Sequence, residues 1–277
     1  MSNDNVTRFS LFPEDEKDIE YNLVVVLDDH LKINIGDIFQ LGDHRLMCGD
    51  ATNPEHVKLL AGNIAPDLWI TDPPYNVAYE GGTEDKLTII NDEMNDEEFG
   101  KFVSDSYRPV ADILKPGGAY YIFHADSEGY NFRKGLRDVG LQLRQTLIWK
   151  KNSLVLGRQD YHWIHEPILY GWKDGAAHNW YSDRSQVTVL EFDKPQINSI
   201  HPTMKLIDLL MYLIKNSSAE GDWVIDTFAG SGSTLIAAEY TKRKSLNLEL
   251  DPNYVNAIIT RFERMTGKKH VKIREGS

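Results

Sequence analysis

The sequence predicts an α/β fold, a mostly parallel sheet with helices on both faces. Three observations carry this. Short apolar runs alternate with helical patterns along most of the 277 residues. One strand-like run ends in Asp72-Pro73-Pro74-Tyr75. Another runs into a Gly-x-Gly turn that opens a helix. In an open sheet of this kind, ligands bind at the carboxyl ends of the strands.

The elements follow in order. Residues 1–20 are an acidic, polar arm, unlike a signal peptide. Tyr21 to Leu41 alternates enough for one or two short strands. Short apolar runs bounded by turn residues then predict strands at Arg45–Cys48, Asp67–Thr71, Ala119–Phe123, Gln142–Trp149, Pro167–Gly171, Trp223–Asp226 and Ser245–Leu248. Helices are expected over Pro54–Ala61, Asp96–Leu114, Ser127–Asp138, Thr203–Asn216, Ser233–Thr241 and Pro252–Met265. The Thr203 helix carries Leu206, Leu209, Leu210, Leu213 and Ile214 on one face. Three stretches resist the pattern and are expected as loops: Glu80–Asp92, Lys150–Arg158 and Ala176–Ser199. The domain division expected is an acidic arm with short strands over 1–35 and one catalytic domain over 36–277.

Composition narrows the function. One cysteine, Cys48, excludes a disulfide framework and a Cys-based zinc site. As a nucleophile it lacks a Pro-Cys context, and a buried inert thiol is the better reading. His162, His165 and His178 lack metal-ligand spacing, so no metal is expected. No stretch is long and apolar enough to span a bilayer, and the cytoplasm is the default compartment. The net charge of −12 is unevenly spread. Residues 1–130 hold 9 Lys and Arg against 26 Asp and Glu, whereas residues 131–215 hold 12 against 8. Phosphate contacts need local positive charge, not a basic total. Arg144, Lys150, Lys151, Arg158, Lys173 and Arg184 are the candidate cations, and Tyr161, Trp163, Trp172, Trp180 and Tyr181 are candidate stacking aromatics. Solvated surface and core packing are the plain alternatives.

Two motifs carry chemistry. In Asp72-Pro73-Pro74-Tyr75 the prolines stiffen the backbone and remove two N–H donors. An Asp side chain and a neighbouring carbonyl can each accept one hydrogen of an amino group. Tyr75 offers a flat face for stacking on a base. The plain alternative is a Pro-rich turn ending a strand. The second motif is Val224-Ile225-Asp226-Thr227-Phe228-Ala229-Gly230-Ser231-Gly232-Ser233-Thr234. Its glycines allow close backbone approach to a ligand, so a Val at Gly232 is expected to fill that space. The following helix adds free N–H groups and a positive dipole end. Glu249, closing the next strand, is placed to accept both ribose hydroxyls of a nucleoside cofactor. Leu235 stands where a dinucleotide fingerprint wants a third glycine, which counts against NAD.

Together these motifs resemble the β-group amino methyltransferases of DNA, in which DPPY is catalytic and FxGxG belongs to the S-adenosyl-L-methionine (SAM) site. Cys48-Gly49-Asp50-Ala51, Leu114-Lys115-Pro116-Gly117-Gly118, Leu147-Ile148-Trp149-Lys150, His165-Glu166-Pro167-Ile168-Leu169-Tyr170-Gly171, His201-Pro202-Thr203-Met204-Lys205 and Glu249-Leu250-Asp251-Pro252-Asn253-Tyr254 match as well. The likeness covers roughly residues 36–265.

The resemblance implies a Rossmann-like methyltransferase fold with a seven-stranded sheet, one strand antiparallel, and a circularly permuted motif order. It implies Asp72, Pro73, Pro74 and Tyr75 as the catalytic group. Asp50 and Ala51 would meet the cofactor adenine and Glu249 its ribose. Asp226, Phe228, Ala229, Gly230, Ser231, Gly232, Ser233 and Thr234 would hold the methionine end, with Asp72, His201, Thr203 and Lys205 nearby. The partner is double-stranded DNA with the target base flipped out. A homodimer is left open, as is a cognate restriction endonuclease that need not bind the chain. The segment around 150–200 is a short target-recognition insertion, unlike the long region of some relatives. Asp72 favours adenine N6, since Ser more often leads the motif for cytosine N4 and Asn for RNA. A non-catalytic SAM- or DNA-binding regulator is the rival from another class.

Overall fold

The runs richest in apolar residues become the central strands. In the computed structural model, which describes residues 27–28, 30–76, 94–155, 160–192 and 207–276, the chain opens with a hairpin of β1 (Ile38–Leu41) and β2 (His44–Cys48). There follow α1 (Pro54–Ala61), β3 (Leu68–Thr71), α2 (Asp96–Ile113), β4 (Ala119–Phe123), a short 3-10 turn (Asp126–Glu128), α3 (Gly129–Asp138), β5 (Gln142–Val155) and β6 (Trp163–Trp172). The chain ends with β7 (Val189–Glu191), α4 (Ile207–Ser217), β8 (Trp223–Asp226), α5 (Ser233–Tyr240), β9 (Lys244–Glu249), α6 (Pro252–Thr266) and β10 (His270–Arg274).

Among the described residues, ten strands share one sheet in the order β10-β1-β2-β9-β8-β3-β4-β6-β5-β7. The expected seven-strand sheet is its middle, from β2 to β5. There β6 runs antiparallel to both β4 and β5, and the other adjacent pairs are parallel. The added strands lie at the edges. β1 pairs antiparallel with β2 and with β10, and β7 lies parallel to β5. Of the run Tyr21–Leu41, only β1 is a strand among the described residues.

Two of the expected loops are partly strand. β5 continues through Lys150 to Val155, and β7 falls within 176–199. The Lys150–Val155 extension is partly polar and β7 is only three residues long, so neither shows a clear pattern in the sequence. β10 (HVKIR) escaped notice for a similar reason: it is an edge strand with three of five residues exposed. Glu80–Asp92, Arg158 and the start of the Thr203 helix lie outside the described residues.

Among the described residues, three helices cover each sheet face. Strand alternation sends Leu68, Ile70, Tyr121 and Val224 towards α4, α5 and α6, and Trp69, Tyr120, Ile122 and Ile225 towards α1, α2 and α3. Burying each large apolar side chain stabilises the fold by about 1.5–3 kcal/mol. Helix ends are set locally. Asn53 and Asp251 cap α1 and α6 ahead of Pro54 and Pro252, and Asn95 forms a capping box with Glu98 on α2. No helix of the described residues is long and apolar enough to cross a membrane.

Gly171 fixes how β6 lies against β4. Tyr120 pairs with it in register, crosses over it and donates its hydroxyl to Gln142 O at 2.5 Å. A Cβ at Gly171 would collide with the Tyr120 hydroxyl and lie 2.7 Å from Gln142 O. Gly171→Ala is therefore expected to cost about 1–3 kcal/mol of stability by urea unfolding. Unchanged stability would contradict this packing.

Candidate active site

Adjacent strands β8 and β3 are parallel, yet the chain leaves them in opposite directions: β8 continues through α5 to β9, and β3 through α2 to β4. A crevice opens outside their carboxyl ends. Asp72 stands at the end of β3, and the glycine turn at the end of β8. Asp226, 4% exposed, joins them. Its carboxylate accepts from Thr71 Oγ1 (3.1 Å), Thr234 Oγ1 (2.6 Å) and Phe228 N (3.1 Å). Burial raises its pKa to about 6 despite these donors. Thr234 thus spends its hydroxyl on Asp226.

The turn leans on the next strand. Glu249, at the end of β9, accepts from Gly230 N (2.8 Å) and Asp251 N (2.9 Å). Burial lifts its pKa to about 7. Arg261 of α6 donates to Ser231 O at 2.9 Å. β2 pairs with β9 so that Cys48 lies opposite Glu249, which brings Asp50 and buried Ala51 to the same end of the sheet. Asp50 Oδ1 accepts from both Thr52 N and Thr52 Oγ1 at 2.8 Å. Cys48 is fully buried and its thiol pKa is pushed up to about 12, so it is an inert core residue.

The glycines divide differently from the sequence expectation. A Cβ at Gly232 would meet Ile258 of α6 at 3.0 Å, so this residue packs against the protein. A Cβ at Gly230, where φ is +51°, would meet open space. Gly230 is therefore the position where a side chain fills the cradle. The buried Thr227 hydroxyl has no partner among the described residues. An open cradle, an unsatisfied hydroxyl and a carboxylate with lone pairs to spare fit an adenosine-bearing ligand with hydroxyl donors. His201, Thr203 and Lys205 lie outside the described residues.

On the other side of the crevice, the Tyr75 hydroxyl lies 2.5 Å from Asp72 Oδ1 and also contacts Glu166 Oε1 of β6. Glu166 is 6% exposed, and its other oxygen pairs with Lys151 of β5 at 3.0 Å. Burial, and then the two carboxylates, hold the Tyr75 phenol well above its ordinary pKa. The Tyr75 ring packs edge-on against Phe132 of α3, which also stacks on His124 at the end of β4. His124 Nε2 is buried without a partner among the described residues, and burial biases the ring towards its neutral form. Asn76, at φ +56°, exchanges two hydrogen bonds with Met94 and so ties the chain on either side of 77–93.

Sequence reasoning gave no role to Glu166, His124 or Thr71. Glu166 stood inside a matched segment, and its ion pair with Lys151 needs the β5–β6 register to be visible. Several candidate DNA cations have partners within the protein. Lys150 pairs with Glu191 and Arg144 with Asp174, and Lys173 caps the end of α2 through three carbonyls. Arg184 is exposed. Trp172 is sandwiched by His178 and Arg144, and Trp180 donates to Asp183 O. Tyr161 is 90% exposed and Trp163 37%, at the far end of the β5–β6 hairpin.

The chain matches the family model for DNA methylases (N6/N4) over residues 66–260. It is 27% identical over 243 residues to the type II methyltransferase M.HpaI of Haemophilus parainfluenzae, covering 80% of this chain and 74% of the relative. Its fold is similar to the M1.HpyAVI–SAM complex at 21% identity and TM-score 0.60, covering 78% of this chain and 97% of the other. It is also similar to the cytosine-N4-specific PvuII DNA methyltransferase at 20% identity and TM-score 0.62, covering 83% and 90%.

The raised Glu249 carboxyl has a signature in stability. Its ordinary pKa is 4.5 and its folded value about 7. Across that window the folded state holds the extra proton, so the protein without ligand loses stability as pH rises from about 4.5 to about 7. Glu249→Gln cannot titrate. Between pH 4.5 and pH 8, wild type should lose about 3 kcal/mol more than the variant in urea unfolding. Parallel pH dependences would show that Glu249 titrates normally.

Proposed function

The chain belongs to the DNA methylase family, and from that premise we propose that it transfers a methyl group from SAM to the exocyclic N6 amine of adenine in duplex DNA. The observation that carries this is the crevice itself. Asp72 of the DPPY segment and the glycine turn open on one cleft, joined by the Thr71–Asp226–Thr234 hydrogen bonds.

On this reading Glu249 accepts the ribose hydroxyls and Asp50 with Ala51 meets the cofactor adenine. Asp226 and Phe228–Thr234 hold the methionine end, with His201, Thr203 and Lys205 nearby. Bound there, SAM supplies an electrophilic methyl group on its sulfonium. An aryl amine is a poor nucleophile because its lone pair is conjugated with the ring. Asp72 and the Pro73 carbonyl each accept one amine hydrogen, which draws the nitrogen towards tetrahedral geometry and aims its lone pair. The negative potential of Asp72 favours the positive charge that forms on nitrogen. The amine is paired within a duplex, so the base flips out and stacks on Tyr75. No covalent enzyme intermediate is required.

DNA is met by the middle segment, chiefly by Tyr161 and Trp163 at the outer part of the β5–β6 hairpin, together with Arg158 and Arg184. The type II methyltransferase among the relatives supports a modification role beside a cognate restriction endonuclease that need not touch this chain. Asp at the head of the motif supports adenine. The likeness to a cytosine-N4 enzyme keeps cytosine N4 as the second reading.

Two variants test the assignment. Asp72→Ala should lower transfer of labelled methyl from SAM to DNA by about 10²-fold or more while the protein stays folded. Near-normal kcat would remove Asp72 from the chemistry. Gly230→Val, which fills the cradle, should weaken SAM binding by about tenfold or more in calorimetry, because backbone approach is blocked. Unchanged affinity would move the cofactor elsewhere.

A further inference from the structure

We propose that Glu166 is a positioning residue: it takes the hydrogen bond of the Tyr75 hydroxyl and so leaves the Asp72 carboxylate to accept the target amine. The proposal rests on the methyl-transfer reading above.

A phenol has one proton, and here it faces two carboxylates. Tyr75 contacts Asp72 Oδ1 at 2.5 Å and Glu166 Oε1. It can donate to one of them at a time. An amine that needs Asp72 as its acceptor competes with a short, charge-assisted bond from Tyr75. Glu166 resolves that competition by offering the hydroxyl a second charged acceptor. Its place is fixed by the sheet: β6 pairs with β4, Ile168 opposite Phe123, and with β5, Glu166 opposite Trp149. Lys151 lies 3.0 Å from Glu166 Oε2, which leaves Oε1 to face the Tyr75 hydroxyl. A buried carboxylate without such a partner would be costly.

Among the described residues, Asp226 and His124 are the next titratable groups around Tyr75, and each is engaged otherwise. Asp226 interacts with Asp72 across the crevice, but its oxygens serve Thr71, Thr234 and Phe228 N. His124 interacts with Glu166 and with Arg133 of α3, and burial biases it towards neutrality. The Tyr75 hydroxyl bonds to both Asp72 and Glu166, and both carboxylates raise its pKa.

The test is a double-variant cycle in single-turnover methyl transfer on duplex DNA. Glu166→Gln should lower the rate about tenfold in wild type, the scale of one hydrogen bond to a charged group. In a Tyr75→Phe background, which keeps the ring and removes the competing donor, it should cost less than about twofold. Lys151→Met gives a second arm if Glu166→Gln folds poorly. Removing the ammonium takes away the partner that holds the Glu166 carboxylate in place, so the rate should fall in wild type and change less than about twofold in the Tyr75→Phe background. Equal fold-losses in both backgrounds, for either variant, would overturn the proposal while leaving methyl transfer intact. A wild-type protein that transfers no methyl group overturns the function reading, and this proposal with it.

Discussion

The carboxylate of Asp226 holds the crevice in register. It lies buried at the end of β8 and gathers Thr71 from the end of β3, Thr234 from the first turn of α5 and the Phe228 amide from the glycine turn. These three elements come from both sides of the point where the chain reverses its path across the sheet. A buried carboxylate is expensive unless donors satisfy it, and each lost donor costs about 1–3 kcal/mol. The arrangement makes the spacing between Asp72 and the glycine turn a property of the core. A site whose residues are held by such contacts keeps its geometry better than one carried on loops alone.

Charge in this protein works at short range. The chain is acidic overall, and several cations of the middle segment are engaged with its own carboxylates or carbonyls. Lys151 illustrates the consequence. From sequence it is one basic residue in a basic segment, whereas in the sheet it neutralises Glu166 beside Tyr75. Burial raises the pKa of Asp226 and Glu249 even though both accept hydrogen bonds from the protein, as titratable groups in a binding cleft often do.

Much of the fold was legible because its central strands are continuous apolar runs. Leu68–Thr71, Ala119–Phe123 and Trp223–Asp226 can only be strands buried on both faces. The edge strands β7 and β10 were not legible, since β7 is three residues long and β10 leaves its alternate apolar residues, Val271 and Ile273, exposed at the chain's end. The two chemical motifs could be read because each is contiguous in sequence. The Glu166–Tyr75 contact joins residues 91 positions apart and exists only through the pairing of β6 with β4. The roles of Gly230 and Gly232 differ by the direction in which a Cβ would point, towards open space or towards Ile258. Spacing in a motif does not encode that direction.

The central claim concerns which amine receives the methyl group, and nucleoside mass spectrometry tests it most directly. Unmethylated duplex DNA would be incubated with the purified protein and SAM, digested to nucleosides and compared with a control lacking SAM. The account predicts N6-methyladenine and no methylated cytosine. N4-methylcytosine would keep the geometry of the crevice and contradict the choice of base. An absence of any methylated nucleoside on DNA of varied sequence would contradict the account as a whole.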